Sequence, residues 1–195
     1  MSEEKKLTSL QQFIKDKPIP EDIIKKCCDG EKKENALGFV AWLRENKLTP
    51  RFSRSSPKTW EVKYKGRSIC ILFIGHSAFA GDDWRVCLNL LNMETYKEII
   101  ISEELQEIVW NNTGYCVYSE RSPYFGMKKA PGCSPNKPCR GGNSQVVLGK
   151  EIEHICSFGK GFLNPDETIL KGIKKLLIWE KQTRDEEHNN NKSTW

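Results

Sequence analysis

Four cysteines, Cys116, Cys133, Cys139 and Cys156, punctuate a stretch rich in proline, glycine and lysine with the spacing Cys-x16-Cys-x5-Cys-x16-Cys. Four thiolates are a set that tetrahedral zinc accepts, each at about 2.3 Å. Structural zinc sites usually bring ligands in pairs about two to four residues apart, and the Cys133 to Cys139 gap is longer than that. Within CSPNKPC, Pro135 and Pro138 lower the entropy of the open loop, and Lys128, Lys129, Lys137 and Arg140 favour thiolate over thiol wherever they lie close. A segment this long without its own helix or strand is uncommon in a compact domain unless it binds something or is disordered. Zinc binding, about 10 to 16 kcal/mol in small peptides, is ample to order one. Zinc on these four thiolates is the expectation carried forward; reduced free thiols and a redox or disulfide pair of Cys133 with Cys139 remain open alternatives. Iron–sulfur ligation lacks its familiar close spacings here. His154 in KEIEHIC can replace one thiolate, but with Ile152, Ile155 and Cys156 facing a core it reads as a surface residue.

A second group of residues suits a small apolar ligand. Trp60, Tyr64, Trp84 and Phe73 fall in strand-like segments and would line a concave sheet, with His76 in the following GHSAFAGDD loop beside Asp82 and Asp83. Alternation equally sends Trp60 and Tyr64 into a core, and a single histidine with no partner motif is weak evidence of general-base chemistry. Residues 51–67 carry Arg51, Arg54, Lys58, Lys63 and Lys65 among aromatics, a pattern compatible with phosphates and stacked bases. The simpler reading has those bases solvating the outer face of a strand. GKGF and RGGNS lack the phosphate-loop pattern. Cys27 and Cys28 are adjacent on a helix and point in different directions, while Cys70 and Cys87 sit in strands as small buried hydrophobes.

Several elements must position these groups. LTSLQQFI, with Leu7, Leu10 and Ile14 at helical spacing, and PIPEDIIKKCCDG, opening at Pro20 and ending at Gly30, predict two short helices. KENALGFVAWLRENK predicts a third, with Leu37, Val40, Ala41 and Leu43 as its apolar stripe. TWEVKYKGRSICILFI predicts a hairpin turning at Lys65-Gly66, its second strand apolar on both faces and therefore central; DWRVCLNLL predicts the next strand. A helix capped by Ser102 follows, and a last one starts at Asn164 with Pro165 in its first turn and Glu167 completing a capping box. From Thr183 the polar tail predicts disorder.

With 195 residues the chain can bury a core without disulfide staples. MSEEKK opens without the apolar run of a signal peptide, and ICILFI, the longest apolar run, is far short of the roughly 20 residues that cross a bilayer, so cytoplasmic residence and no membrane span are expected. In a reducing cytosol the eight cysteines favour thiols or metal ligands over disulfides. The formal charge of +5 is spread among 26 acids, unlike the one-sided basic face of a nucleic-acid binder.

The succession of helix, WEVKYKGRSICILFI hairpin, WRVCLNL strand and SEELQEIVW helix resembles the small bacterial α+β domains of the YjbR and YdhG type, mostly of unknown function. The likeness covers about the first 112 residues; it implies a curved antiparallel sheet with helices on one face and carries over no catalytic residue. The expected organisation is an α+β core over 1–112 with an antiparallel sheet of three or more strands, a cysteine-bearing extension with a C-terminal helix over 113–182, and a disordered tail over 183–195. The function expected is a non-catalytic, zinc-stabilised binding module, with a small-molecule sensor, a nucleic-acid module and a thiol-redox protein as alternatives. Its partner is a small molecule or a protein.

Overall fold

A computed structural model describes residues 17–53, 58–75, 84–90, 97–112, 143–155 and 161–192. Over these the chain folds as α1 (Pro20–Cys27), α2 (Gly30–Glu45), β1 (Pro50–Phe52), β2 (Thr59–Tyr64), β3 (Arg67–Ile74), β4 (Trp84–Leu88), α3 (Lys97–Ser102), α4 (Gln106–Asn112), β5 (Asn143–Val147), β6 (Lys150–Ile155), β7 (Phe162–Leu163) and α5 (Glu167–Lys192). The strands make an antiparallel five-stranded sheet of order β1-β2-β3-β4-β7 and a separate β5-β6 hairpin, an α+β arrangement. The apolar β3 is central, as its lack of a wet face requires.

The β2-β3 turn uses Lys65 and Gly66 at φ 47° and 79°, the left-handed pair that matches strand twist in a tight hairpin. A bulge at Ile69 follows, where the register steps from Val62 opposite Cys70 to Lys63 opposite Ser68. Pairing and the two-residue period place Trp60, Val62, Cys70, Leu72, Ile74, Trp84, Val86 and Leu88 on one face, all buried. On the opposite face Glu61, Ile71, Phe73 and Arg85 are half-buried. α2 covers the first face through Ala36, Phe39, Val40 and Leu43; the expected Leu37 and Ala41 sit off this stripe, half-buried and exposed.

β7 and α5 complete the same core. Leu170, Ile173, Leu176 and Leu177 of α5 join the buried cluster of the sheet, so residues beyond 112 supply one sheet edge and one covering helix. Gly161, at φ 68°, lies so close to Val86 that a Cβ would sit 2.4 Å from its carbonyl oxygen, and glycine alone admits that approach.

Several helix ends differ from the sequence expectation. Gly30 opens α2 instead of closing α1. Ser102 ends α3, its hydroxyl donating to the Ile99 carbonyl at 3.1 Å, and a turn at Glu103 and Glu104 separates α3 from α4. At α5 the cap is Asp166, whose Oδ1 accepts the Ile169 amide at 2.8 Å; Asn164 instead accepts the Trp84 amide at 3.1 Å and ties the loop to the sheet. The polar run from Thr183 continues the helix to Lys192 rather than forming a disordered tail. The buried positions 170, 173, 177, 180 and 184 form one helical stripe, and its last members are polar groups with partners.

The partners are specific. Arg184 Nε donates to Glu180 Oε1 at 2.8 Å, Nη1 to the Arg67 carbonyl at 3.0 Å, and Nη2 to the carbonyls of Ser68 at 3.0 Å and Asn89 at 3.3 Å. One guanidinium thus gathers the β2-β3 turn and the end of β4 onto α5, with both charged side chains almost wholly buried. Beside it the Tyr64 hydroxyl donates to Asp185 at 2.8 Å, and Lys65 pairs with the same carboxylate at 2.7 Å.

Candidate functional site

A groove of about 460 Å³ opens beside the edge strand β1, between it and the 17–20 segment that enters α1. Its floor is Phe52 and Trp60, with ring centroids 6.0 Å apart and planes at 68°, an edge-on aromatic pair. Pro18, Pro20 and Pro50 form the walls, three rings that hold their backbone without side-chain entropy. Lys17, Ile19 and Arg51 stand at the mouth, all exposed.

Strong local interactions hold both sides. The Trp60 indole Nε1–H donates to the Pro18 carbonyl at 3.0 Å, fixing the 17–20 segment over the sheet. Ile23 and Ile24 bury α1 in the core. Arg44 of α2 grips Glu21 with Nε and Nη2 at 2.7 and 3.0 Å. Burial opposes ionisation of Glu21, but the hydrogen-bonded Arg44 guanidinium outweighs it and holds the carboxyl below its usual range. The same pairing raises the Arg44 pKa against a smaller opposing effect of burial.

The charge at the mouth is one-sided. Among the described residues, Lys17 and Arg51 have no ion-pair partner and none of those lining the groove is an acid. Elsewhere along residues 51–67, bases meet internal partners: Lys58 donates to the Gly75 carbonyl at 2.7 Å, Lys63 pairs with Glu61 at 3.1 Å, and Arg67 lies 3.8 Å from Glu187. These bases alternate with acids or reach a carbonyl, so the described part of the run is not a continuous cationic strip.

The residues expected to line one concave surface are separated. Trp60 reaches the groove floor, yet it is almost wholly buried and its indole N–H is already used. Trp84 is core: its ring lies 6.1 Å from Phe39 under α2, and its indole nitrogen has no partner among the described residues. Tyr64 binds Asp185 of α5 at the other end of β2. Phe73 lies on the opposite sheet face. His76 falls outside the described residues, as do Cys116, Cys133, Cys139 and Cys156, and the side chain of His154 is not described either.

Among the described residues, no three His, Cys, Asp or Glu side chains are grouped as a metal ion would need. Cys70 and Cys87 are buried on opposite faces of neighbouring strands, as small core residues. Burial pushes both thiols up, Cys87 to about 11 against an opposing effect of Arg85, so both are held protonated and inert at neutral pH. No described helix is long and apolar enough to cross a membrane.

The sequence signal for the groove was the tripeptide Pro18-Ile19-Pro20. Pro20 marks a helix start, which makes Ile19 the N-cap, a place where Ser, Thr, Asp or Asn is favoured. The structure confirms that Ile19 gives no side-chain cap, and half of its surface is exposed. Arg51 was visible in the sequence only as one of several bases. Compared with known proteins, the chain matches no protein-family model, no curated protein and no solved structure.

Proposed function

We propose that this protein is a non-catalytic binding module whose site is the groove between the 17–20 segment and β1. The observation that carries this reading is a preformed concavity of about 460 Å³ with an aromatic floor and proline walls, within the size range of small-molecule sites. The described residues that line it are apolar or cationic, groups that offer affinity and orientation. Membership of the YjbR/YdhG-like group remains a proposal carried by the sequence pattern. The test is quenching or enhancement of tryptophan fluorescence on titration with small aromatic ligands, compared between the native chain and Ile19→Trp, which places a bulky ring at the mouth. Saturable binding lost in that variant supports the site; binding indifferent to it sinks the proposal.

The cysteine set is proposed to hold one stabilising zinc ion. One feature of the fold favours this reading: in the β5-β6 hairpin Asn143 lies opposite Ile155. Asn143 and Ile155 are the described residues nearest in sequence to Cys139 and Cys156. Residue types and spacing carry the rest.

A further inference from the structure

We infer that the groove selects a small apolar anion: an aromatic or branched hydrocarbon body bearing a carboxylate, sulfonate or phosphate. The inference rests on the groove being the binding site, and deepens that reading by naming the ligand class.

Three observations converge. The floor and walls are apolar, which sets the body of the ligand. Its lining carries two exposed cations, Lys17 from the chain entering α1 and Arg51 from the edge strand, and no acid among the described residues that line it. A ligand whose hydrocarbon rests on Phe52 and Trp60 therefore shares the groove with two cations. Arg51 offers a planar donor fork suited to an oxyanion, and Lys17 a compact charge. The third observation is Ile19. An N-cap without a side-chain acceptor forgoes stabilisation that Ser or Asp would provide, and the position instead adds a half-exposed apolar surface to the groove. Loss of stability where a binding surface gains area is the pattern expected of a functional position.

The volume argues for a small molecule rather than a long peptide. Small-ligand sites run about 300 to 1,000 Å³, whereas a protein partner needs a face of roughly 800 Å² on each side. The positive rim disfavours cations and gives no advantage to neutral molecules, so charge is the discriminating property.

Two fluorescent probes that differ chiefly by one anionic group test this on the full chain: anilinonaphthalene sulfonate and neutral N-phenylnaphthylamine. The expected result is about tenfold tighter binding of the sulfonate at low salt. Arg51→Gln and Lys17→Gln should each weaken the sulfonate by about two- to fivefold, the range of an exposed charge contact, and leave the neutral probe unchanged. Ile19→Trp should weaken both probes together, with circular dichroism and melting showing that each variant folds. Equal affinities for the two probes, both lost in Ile19→Trp, would overturn the anion selectivity while leaving the groove in place. Binding of both probes unaffected by Ile19→Trp would overturn the groove and the ligand class together.

Discussion

Replacing Arg184 by methionine removes the buried guanidinium that joins α5 to the sheet, and its cost follows from the geometry. Five donor contacts between 2.8 and 3.5 Å vanish: one to Glu180 and four to the carbonyls of Tyr64, Arg67, Ser68 and Asn89. Glu180 is fully buried, so its carboxylate loses the adjacent countercharge with no water to replace it. Breaking a buried pair by deleting one partner costs about 3 to 5 kcal/mol. With a urea m-value of about 2 kcal/mol/M, that loss lowers the unfolding midpoint by roughly 2 M. Arg184→Lys keeps the charge near Glu180 but cannot reach four carbonyls at once, so an intermediate loss of about 1 to 2 kcal/mol is expected. The double variant Arg184→Met with Glu180→Met should recover at least about 1 kcal/mol of the single-variant loss, because the buried carboxylate that lost its guanidinium is gone. Urea unfolding followed by far-ultraviolet circular dichroism measures all three. A loss below about 1 kcal/mol for Arg184→Met, or no recovery in the double variant, refutes the clamp.

Ile19→Ser supplies the missing N-cap acceptor of α1 and should stabilise the fold by about 0.5 to 1 kcal/mol while weakening probe binding in the groove; opposite signs in melting and titration check both halves. Cys87 has a folded pKa near 11 against an ordinary value of 9.0, and Cys70 is raised by burial as well. A raised folded pKa gives stability that is complete below the unfolded value and lost as pH rises through the folded one, so these thiols make stability fall between pH 9 and about 11. Cys70→Ala with Cys87→Ala should flatten that slope, and mass-spectrometric mapping should find both thiols unlabelled in the native chain at neutral pH. For the cysteine set, elemental analysis should find about one zinc per chain, and chelation should free four thiols at Cys116, Cys133, Cys139 and Cys156 and lower the melting temperature. Metal-free protein with the same melting temperature would dismiss it.

The fold was readable where local chemistry and tertiary packing agree. Strict alternation in TWEVKY, the Lys65-Gly66 turn and the two-sided apolar ICILFI specify the central hairpin before any contact is known. The reading failed where polar groups do the work of apolar ones. Thr183 and Arg184 look like solvent-seeking tail residues, yet both are buried, and strand-end carbonyls distant in sequence make Arg184 a partner of the sheet. Helix starts slipped by a few residues because Asn164 and Asp166 are both good caps, and the Trp84 amide takes the first. The groove was hidden for a related reason: the two sides of its mouth lie at positions 17–20 and 50–52, brought together by the Trp60 to Pro18 hydrogen bond and the Glu21 to Arg44 pair. Trp60 was picked out as a ligand-facing residue and does reach that floor, whereas Trp84 and Tyr64, chosen by the same alternation, serve the core and the α5 contact.

The claim that the 17–20 and β1 segments form an anion-selective binding groove is tested most directly by amide and indole nuclear magnetic resonance shifts of the ¹⁵N-labelled chain titrated with anilinonaphthalene sulfonate. The account predicts saturable shifts centred on the amides of Ile19, Arg51 and Phe52 and on the indole N–H of Trp60, absent with the neutral probe at equal concentration. Shifts centred elsewhere, or the same pattern for both probes, would contradict it.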